Sequence, residues 1–445
     1  MRRVHTSRRT LDGCRLIVLA TLVCLVSVPG LALAQSTIVG VVKDASGAVV
    51  PGVTVEAASD ALIEQQKSAT TNGSGQYRIV DLRPGTYVVT FALAGFQTVR
   101  RDGIRLQAEF TATVDAVMAL GDRQETITVT GEAPTVDVRS AAAVTRLERD
   151  VLDQIPTGQN IWEMAQLIPS INMFNVLAQN AGTVGGQGGA TQTYMSVRGM
   201  TASQNVVLVD GMTVSGLELN GTIQAYFNPD MNQEINYETS GASADRSGGG
   251  VTVNMIPREG GNRPSGNFKT NYRPGRWIGD NFTTRLRDSG LQSAGTLQYL
   301  SDFTGSQGGP IKRDKLWFFA SYHQFNTSDV VPDTRFDDGA RGTDDQHIRQ
   351  PMLRLTYQLN RSNKVSGYVE ITDKQRSHDM VAQVDPETAA SRWTSPNYST
   401  GNVKFTSTLS SRLLFEGGYS MNREYRTVQA QEGIYKERGT PEWYA

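Results

Sequence analysis

Histidine side chains and glycine-rich loops are the first places to look for chemistry in this chain of 445 residues. Beyond the N-terminal region the histidines are His323, His347 and His378, and their separations do not match those of a metal site. The stretch Gly182–Gly189 lacks the Gly-Lys-Ser/Thr ending of a phosphate-binding loop, so we interpret it as a flexible loop. These residues therefore predict no metal ion and no cofactor.

The first 34 residues have the order of a secretory signal peptide. Basic residues precede an apolar run from Leu16 to Val28, and Ala32-Leu33-Ala34 then provides a cleavage site after Ala34. Both cysteines, Cys14 and Cys24, lie inside this segment, so the exported chain would have no thiol for a disulfide, a metal site or a nucleophile. Cleavage would remove five of the 43 basic residues and one of the 44 acidic ones, which changes the net charge from −1 to −5. We therefore expect an exported protein that is not an enzyme, has no catalytic residue and does not bind nucleic acid.

Residues 35–120 alternate short runs rich in Val, Thr and Tyr with turns built from Gly, Pro, Asn and Asp. The expected strands are Thr37–Val42, Val53–Glu56, Tyr77–Val80, Thr86–Phe91 and Phe110–Val117. Short strands at this spacing predict a β-sandwich of about seven strands.

Several motifs of this region resemble the carboxypeptidase-regulatory-like domain. They are Gly40-Val41-Val42-Lys43-Asp44, Pro51-Gly52-Val53, Gly75-Gln76-Tyr77, Leu82-Arg83-Pro84-Gly85-Thr86-Tyr87 and Gly95-Phe96. The resemblance implies an accessory fold without protease chemistry.

A candidate docking strand lies in the linker at residues 121–134. Polar and apolar residues alternate along it, namely Glu125, Thr126, Ile127, Thr128, Val129 and Thr130. One interpretation is an ordinary strand of a neighbouring domain. The other is a segment that adds to the sheet edge of a periplasmic partner, where main-chain hydrogen bonds supply the affinity. The segment resembles the TonB box in sequence and in its position before a plug, and we favour the second interpretation.

Residues 135–262 mix short helices with buried strands. Arg149–Gln154 and Asn160–Leu167 suit helices, because Pro156 and Pro169 would end them. Val206–Val209 and Val251–Ile256 are apolar runs typical of buried strands.

This region resembles the plug domain of TonB-dependent receptors. Three motifs stand in the family's order, namely Val197-Arg198-Gly199-Met200, Val207-Leu208-Val209-Asp210-Gly211 and Gly249-Gly250-Val251-Thr252-Val253-Asn254-Met255-Ile256. We take Arg198, Gly199, Asp210, Gly211, Gly249 and Gly250 as the plug-motif residues. The segment after them, Pro257–Asn262, departs mildly from the family's pattern.

Residues 263–445 read as paired alternating strands of a transmembrane barrel. Leu353, Leu355 and Leu359 would share an apolar face opposite Arg354 and Thr356. Short turns at 312–314, 360–363 and 410–412 alternate with long polar segments at 327–347 and 373–400, a rhythm typical of outer-membrane barrels.

Two further expectations concern this barrel. The aromatic residues in Leu316–Phe319, together with Tyr322, could form part of an interfacial girdle. Plugged transporters use about 22 strands, whereas residues 264–445 number 182 and have room for about seven or eight with these loops. We therefore expect a partial barrel and an N-terminal fragment of a longer receptor.

The expected fold class is mainly β, with an N-terminal β-sandwich, a mixed α/β plug domain and the first strands of an incomplete antiparallel transmembrane β-barrel. The resemblance implies an outer-membrane receptor with periplasmic N-terminal domains, a barrel in contact with outer-membrane lipid, and energy from the TonB-ExbB-ExbD complex. Its ligand stays open among siderophores, glycans, peptides and cobalamin, with a slight preference for carbohydrate from the sandwich fold. The alternative is a surface structural or adhesive protein similar to the Oar-like branch, which Gly308–Ile311 and Leu316–Tyr322 resemble.

Overall fold

Three β-sheet regions follow one another along the chain in this computed structural model. The structure describes residues 36–441 except 63–64, 109, 122–125, 131–141, 156–159, 175–193, 216–225, 242–247, 280–281, 294, 361, 381–383, 411–412, 433 and 435–439. The expected signal peptide and the glycine-rich stretch 182–189 lie outside the described residues. Residues 34–445 form one compact unit. None of the helices in the described ranges has the length and apolar character needed to cross a membrane.

The first region, called the sandwich below, consists of two sheets. Their strand orders are β4-β1-β7, with β8 also beside β1, and β3-β2-β5-β6-β9. The strands are β1 Ser36–Asp44, β2 Thr54–Ala58, β3 Gln66–Thr70, β4 Gln76–Leu82, β5 Gly85–Ala92, β6 Thr98–Leu106, β7 Thr111–Thr113, β8 Ala116–Met118 and β9 Thr126–Thr130. Four of the five expected strands form, whereas the expected strand Phe110–Val117 is divided into β7 and β8. Strands β3 and β6 are additional, so that with β9 the region has nine described strands rather than about seven. The sequences of β3 and β6 are largely polar and therefore give little indication of a strand. Both strands depend on pairing with their neighbours.

Apolar side chains of both sheets form the sandwich core, among them Ile38, Val55, Tyr87 and Phe91. Gly40 lets two backbones approach there, because a Cβ at this position would stand 2.1 Å from the carbonyl oxygen of Val114. That oxygen accepts a hydrogen bond of 2.6 Å from the hydroxyl of Tyr77.

The second region, called the plug below, has two short helices, Arg149–Gln154 and Ile161–Ala165, and 3-10 turns at Ala202–Gln204 and Pro229–Met231. Its strands are β10 Ala143–Glu148, β11 Ile171–Phe174, β12 Tyr194–Val197, β13 Val206–Val209, β14 Met212–Thr213, β15 Asn232–Ser240 and β16 Thr252–Pro257. They form a sheet of order β10-β15-β16-β13-β14 and the pair β11-β12. Every residue of β13 and β16 is buried, as expected for strands that are covered on both faces.

The third region, called the wall below, is one antiparallel sheet of order β17 to β23, with β24 beside β22. Its strands are β17 Ser265–Pro274, β18 Thr296–Lys312, β19 Leu316–Arg335, β20 Arg341–Asn360, β21 Asn363–Asp379, β22 Ser391–Ser410, β23 Leu413–Arg423 and β24 Thr427–Gln429. A helix at Thr284–Asp288 and a 3-10 turn at Gly275–Trp277 lie between β17 and β18. The strands described from Ser265 to Gln429 do not close into a barrel.

Polar and apolar residues occupy opposite faces of the wall. Arg354 and Thr356 are 3% and 1% exposed on the face that meets the plug, whereas Leu353 and Leu355 are each 42% exposed on the outer face. A sheet whose polar side chains are buried on the inner face and whose apolar side chains are exposed on the outer face suits contact with lipid rather than with water.

The wall strands are longer than the sequence pattern indicated. Strands β18 to β22 have 17 to 20 residues, about twice the ~9–11 needed to cross a bilayer. The expected long segments at 327–347 and 373–400 are largely strand, so the connections shrink to 336–340 and 380–390. The polar composition of these two segments is typical of loops. Strand ends that extend beyond the apolar outer surface of the wall need paired backbone groups but no apolar side chains, so their sequences resemble loop sequences.

The expected aromatic girdle is wrong for two of its members. Trp317 and Phe319 are 0% and 1% exposed on the inner face, where Trp317 Nε1 donates a 2.8 Å hydrogen bond to Asn262 Oδ1. Strand alternation instead places Tyr322 on the outer face, beside Phe303.

Candidate functional site at the junction of sandwich, plug and wall

Arg354 of β20 is the centre of the contact between plug and wall. Its Nη1 donates to Asp210 Oδ2 at 2.5 Å, and its Nη2 donates to Glu259 Oε1 at 2.6 Å. The side chains of Arg354 and Glu259 are each 3% exposed. Paired guanidinium and carboxylate groups at this depth satisfy each other, whereas either alone would carry a large desolvation cost.

The backbone of the plug aims Asp210 at the wall. Asp210 and Gly211 both have left-handed backbone angles, with φ of 54° and 77°, which turns the chain sharply after β13. Asn254 Oδ1 accepts from the Gly211 N–H at 3.1 Å, and Asn402 of the wall donates to the Val209 carbonyl oxygen at 3.1 Å. The predicted pair Asp210-Gly211 therefore lies at the site.

The other plug-motif residues lie before β16 and after β12. Gly249 and Gly250 precede β16, and a Cβ on Gly250 would stand 2.5 Å from Asn205 Oδ1. Arg198 and Gly199 form an exposed turn, with φ of 52° and 77°. These four residues shape backbone turns, and the structure does not bring them to Arg354.

A second contact fixes the plug segment before β15 to the inner face of the wall. The Asn228 N–H donates to Glu370 Oε2 at 3.1 Å, and its side-chain amide donates to Ser321 Oγ at 3.0 Å. Gln350 Nε2 donates to the Tyr226 carbonyl oxygen at 2.7 Å. Sequence reasoning missed these residues, since isolated polar residues on a strand give no signal of their partners.

Glu259 also connects the plug to the sandwich, because its carboxylate forms an ion pair with Arg83. Arg83 lies between β4 and β5. Glu259 belongs to the segment Pro257–Asn262, which departs from the family's pattern. This departure was the sequence feature that could have indicated Glu259 as a site residue. The segment supplies a further ion pair of 3.1 Å between Arg258 and Asp230.

A second ion pair joins the sandwich directly to the wall. Lys364 Nζ donates to Asp81 Oδ1 at 2.8 Å, while Lys67 Nζ holds the other carboxylate oxygen at 2.5 Å. Burial opposes ionisation of Asp81, but Lys364 and Lys67 outweigh it and hold the pKa of that carboxyl well below its usual range. Asp81 is therefore ionised at any physiological pH.

A cavity of about 430 Å³ lies among these ion pairs. All three regions line it, with Asp81 and Arg83 from the sandwich, Glu259 from the plug, and Arg354 and Lys364 from the wall. The site therefore consists of charged side chains of both signs around a polar space.

The predicted docking segment is placed in the sandwich. Glu125 lies outside the described residues, and Thr126–Thr130 forms strand β9, which pairs in parallel with β6. The paired residues include Val99 with Ile127 and Arg101 with Val129. Among the described strands β9 is the last in its sheet order, with one neighbour and one open edge.

The three histidines lie on the wall as hydrogen-bonding groups. His323 contacts Gln350 at 2.7 Å and Asp302 at 2.9 Å, and His378 contacts Asp345 at 3.1 Å. Within the described parts of the chain, no group of three His, Cys, Asp or Glu side chains is arranged to hold a metal ion.

Comparison with known proteins identifies two domains. Residues 37–119 match the model of the carboxypeptidase regulatory-like domain, and residues 137–252 match that of the TonB-dependent receptor plug domain. The chain is also 27% identical over 363 residues to the TonB-dependent transporter Oar of Myxococcus xanthus, covering 75% of this chain and 33% of the relative. It thus spans about a third of the length of that curated relative.

Similar solved structures include the outer membrane transporter YddB from Escherichia coli, 13% identical, with a TM-score of 0.49 and coverage of 64% of this chain and 39% of that one. Another is the ferric enterobactin receptor mutant R480A of Pseudomonas aeruginosa, 15% identical, with a TM-score of 0.41 and coverage of 61% and 39%. The domain models and the Oar relative confirm the resemblance drawn from the motifs: the chain carries a carboxypeptidase regulatory-like domain followed by the plug domain of the TonB-dependent receptors.

Proposed function

We propose that this chain is the plug-bearing part of a receptor that takes up a nutrient across the bacterial outer membrane. The observation that carries the proposal is the plug held against a wall that is polar inside and apolar outside, through Arg354, Asp210 and Glu259. Such a wall forms a lipid-facing sheet around a plugged passage. The sandwich and the short-turn rim of the wall then lie on the periplasmic side.

The energy for uptake comes from the TonB-ExbB-ExbD complex, which pulls on the segment Glu125–Thr130. The support is the alternating, β-branched composition of this segment and the open edge of β9. An extended partner can add to such an edge through backbone hydrogen bonds. The plug-motif residues shape the turns of the domain that must rearrange. They are Arg198, Gly199, Asp210, Gly211, Gly249 and Gly250.

The test is uptake by cells that carry the full-length receptor with proline in β9. Successive N–H groups of a strand point to opposite edges, so Ile127→Pro and Val129→Pro remove donors from one edge and Thr128→Pro from the other. We expect proline at one of these two sets of positions to abolish uptake, while alanine at the same positions changes it little.

Membrane insertion is measured separately for every variant. If all three proline variants insert and transport like the parent, Glu125–Thr130 is not the docking segment. That outcome would favour the structural or adhesive role of the Oar-like branch.

A further inference from the structure

Within the described residues, one short segment of the sandwich carries both ion pairs that connect the sandwich to the plug and the wall. Asp81, the penultimate residue of β4, has a left-handed conformation with φ of 58°, and Arg83 follows two residues later. The hydroxyl of Tyr87 accepts from the Arg83 N–H at 3.0 Å and donates to the Arg83 carbonyl oxygen at 2.8 Å. The segment is therefore fixed to the sandwich, and its two charges move with the whole domain.

The partners of this segment belong to two different regions. Asp81 pairs with Lys364 of the wall, and Arg83 pairs with Glu259 of the plug. The side chains of Asp81, Lys364 and Glu259 are 10%, 11% and 3% exposed. At this burial an ion pair adds little net stability, but replacing one of its members costs much more because the other charge is then buried without this partner.

Glu259 links the docking of the sandwich to the contact between the plug and the wall. Its carboxylate is shared by Arg83 of the sandwich and Arg354 of the wall. A further contact between sandwich and plug lies at Glu234, whose carboxylate oxygens accept from the Ala108 N–H at 3.1 and 3.3 Å. The cavity of about 430 Å³ between the three regions is bounded on one side by the sandwich residues Asp60 to Leu62 and Asp81 to Pro84.

We propose that the sandwich is a clamp that closes the short-turn rim of the wall. While Asp81 and Arg83 are docked, the sandwich covers one side of the cavity and supplies one of the two cations that hold Glu259. When the sandwich leaves, Glu259 keeps Arg354 alone and the cavity, which is already partly open, opens more widely to the surrounding solution. This role goes beyond nutrient uptake and does not depend on it, because it concerns contacts within one chain.

The test is the reactivity of a cysteine placed in the cavity. Ser366 lines the cavity and is 5% exposed, and residues 35–445 contain no cysteine, so Ser366→Cys gives a single reporter in this part of the chain. The full-length receptor, with any cysteine beyond residue 445 replaced, is purified in detergent and treated with a water-soluble maleimide. No energy complex is present, so the result is independent of the uptake experiment.

Lys364→Glu places a negative charge against Asp81 and should expel the sandwich. We expect the reporter to react at least about tenfold faster, which corresponds to ~1.4 kcal/mol in the closing equilibrium. Lys364→Gln, which removes the attraction without repulsion, should give a smaller increase. Deletion of residues 35–120 should give the largest increase.

The matched control is Lys312→Glu, which makes the same charge change at an exposed lysine next to a neighbouring short turn. It should leave the rate at that of the parent. The proposal is overturned if deletion of the sandwich leaves the rate unchanged, or if Lys312→Glu accelerates labelling as much as Lys364→Glu. Migration of each unheated receptor variant on gels checks that its wall is folded. If Lys364→Glu does not fold, the labelling rates of the Lys364→Gln variant and of the deletion variant decide the question.

Discussion

Arg354 and Asp210 lie on different regions of the chain, yet their side chains meet at 2.5 Å. Asp210 follows the parallel strand β13 of the plug, and Arg354 projects from the inner face of β20. The same guanidinium holds Glu259, which follows β16. One wall residue thus fixes the ends of two neighbouring plug strands.

Replacing Arg354 should loosen the plug in the wall. Arg354→Met leaves Asp210 and Glu259 without this cation at a buried site, and removing one member of such a group typically costs ~3–5 kcal/mol. We expect faster hydrogen exchange in β13 and β16, measured by mass spectrometry on the full-length receptor. The control Arg349→Met changes an exposed arginine on the opposite face of the same strand and should have little effect. Equal protection in both variants would contradict a role for Arg354 in seating the plug.

The folded structure around Glu234 should become less stable as the pH rises. Burial raises the pKa of Glu234 to about 7, against the lowering effects of the Ala108 N–H, Asn236 and Arg146. In the unfolded chain this carboxyl has its ordinary pKa of 4.5, so between pH 4.5 and 7 the folded state holds a proton that the unfolded chain has released. By linkage, this contribution to stability is fully present below pH 4.5 and is lost, by ~3 kcal/mol, as the pH rises through 7.

Hydrogen exchange at the Ala108 amide between pH 5 and pH 8, corrected for intrinsic rates, measures this effect. Glu234→Gln should remove the pH dependence, because an amide side chain does not ionise in this range. Glu238→Gln, on the same strand, should retain it. Unchanged pH dependence in Glu234→Gln would mean that another group titrates at this contact.

The two rims of the wall should differ in their accessibility from outside the cell. The connection 380–390 is long, whereas β20 and β21 are joined by 361–362, and outer-membrane barrels place their short turns in the periplasm. We expect a membrane-impermeant maleimide to label Glu387→Cys in intact cells and to label Ser362→Cys only after the outer membrane is permeabilised. The reverse pattern would invert the proposed orientation.

Residues 35–120, which are the sandwich without β9, should fold by themselves as an all-β domain without peptidase activity, and Gly40 should stabilise that fold. A Cβ at Gly40 would press on the Val114 carbonyl oxygen, and overpacking of this kind costs ~1–3 kcal/mol or more. We expect Gly40→Ala to lower the urea midpoint of residues 35–120, followed by circular dichroism. Gly73→Ala, where a Cβ would have open space, should be near neutral. Substantial helix in the parent domain would contradict its expected fold.

Local pattern was enough to predict most elements, because alternation and turn residues act over a few positions. The capped helix that follows Asn160 and the buried strand Val206–Val209 are examples. The polar strand β3 was not predicted, since its stability comes from its pairing with β2. The ends of the wall strands were predicted as loops for the same reason. Backbone pairing between neighbouring strands continues there although the side chains are polar.

The candidate site was less predictable than the fold. Asp210 was found because its motif has a recognisable turn, but its partner Arg354 was identified only as a polar residue on an alternating strand. Glu259 and Asp81 were not singled out as site residues. Their roles depend on contacts between residues far apart in sequence, and no local pattern encodes such contacts.

The order of the plug strands has a consequence for how the chain matures. Strand β10 at Ala143 cannot pair until β15 is available. Strand β13 can pair early with the short β14, but its parallel partner β16 ends only at Pro257. The first wall strand begins at Ser265, directly after the last plug strand. During synthesis and export from the N-terminus, every strand of the plug has therefore emerged before any strand of the wall. Assembly can then proceed by wrapping the wall around a plug that is already formed, rather than by threading the plug into a finished ring.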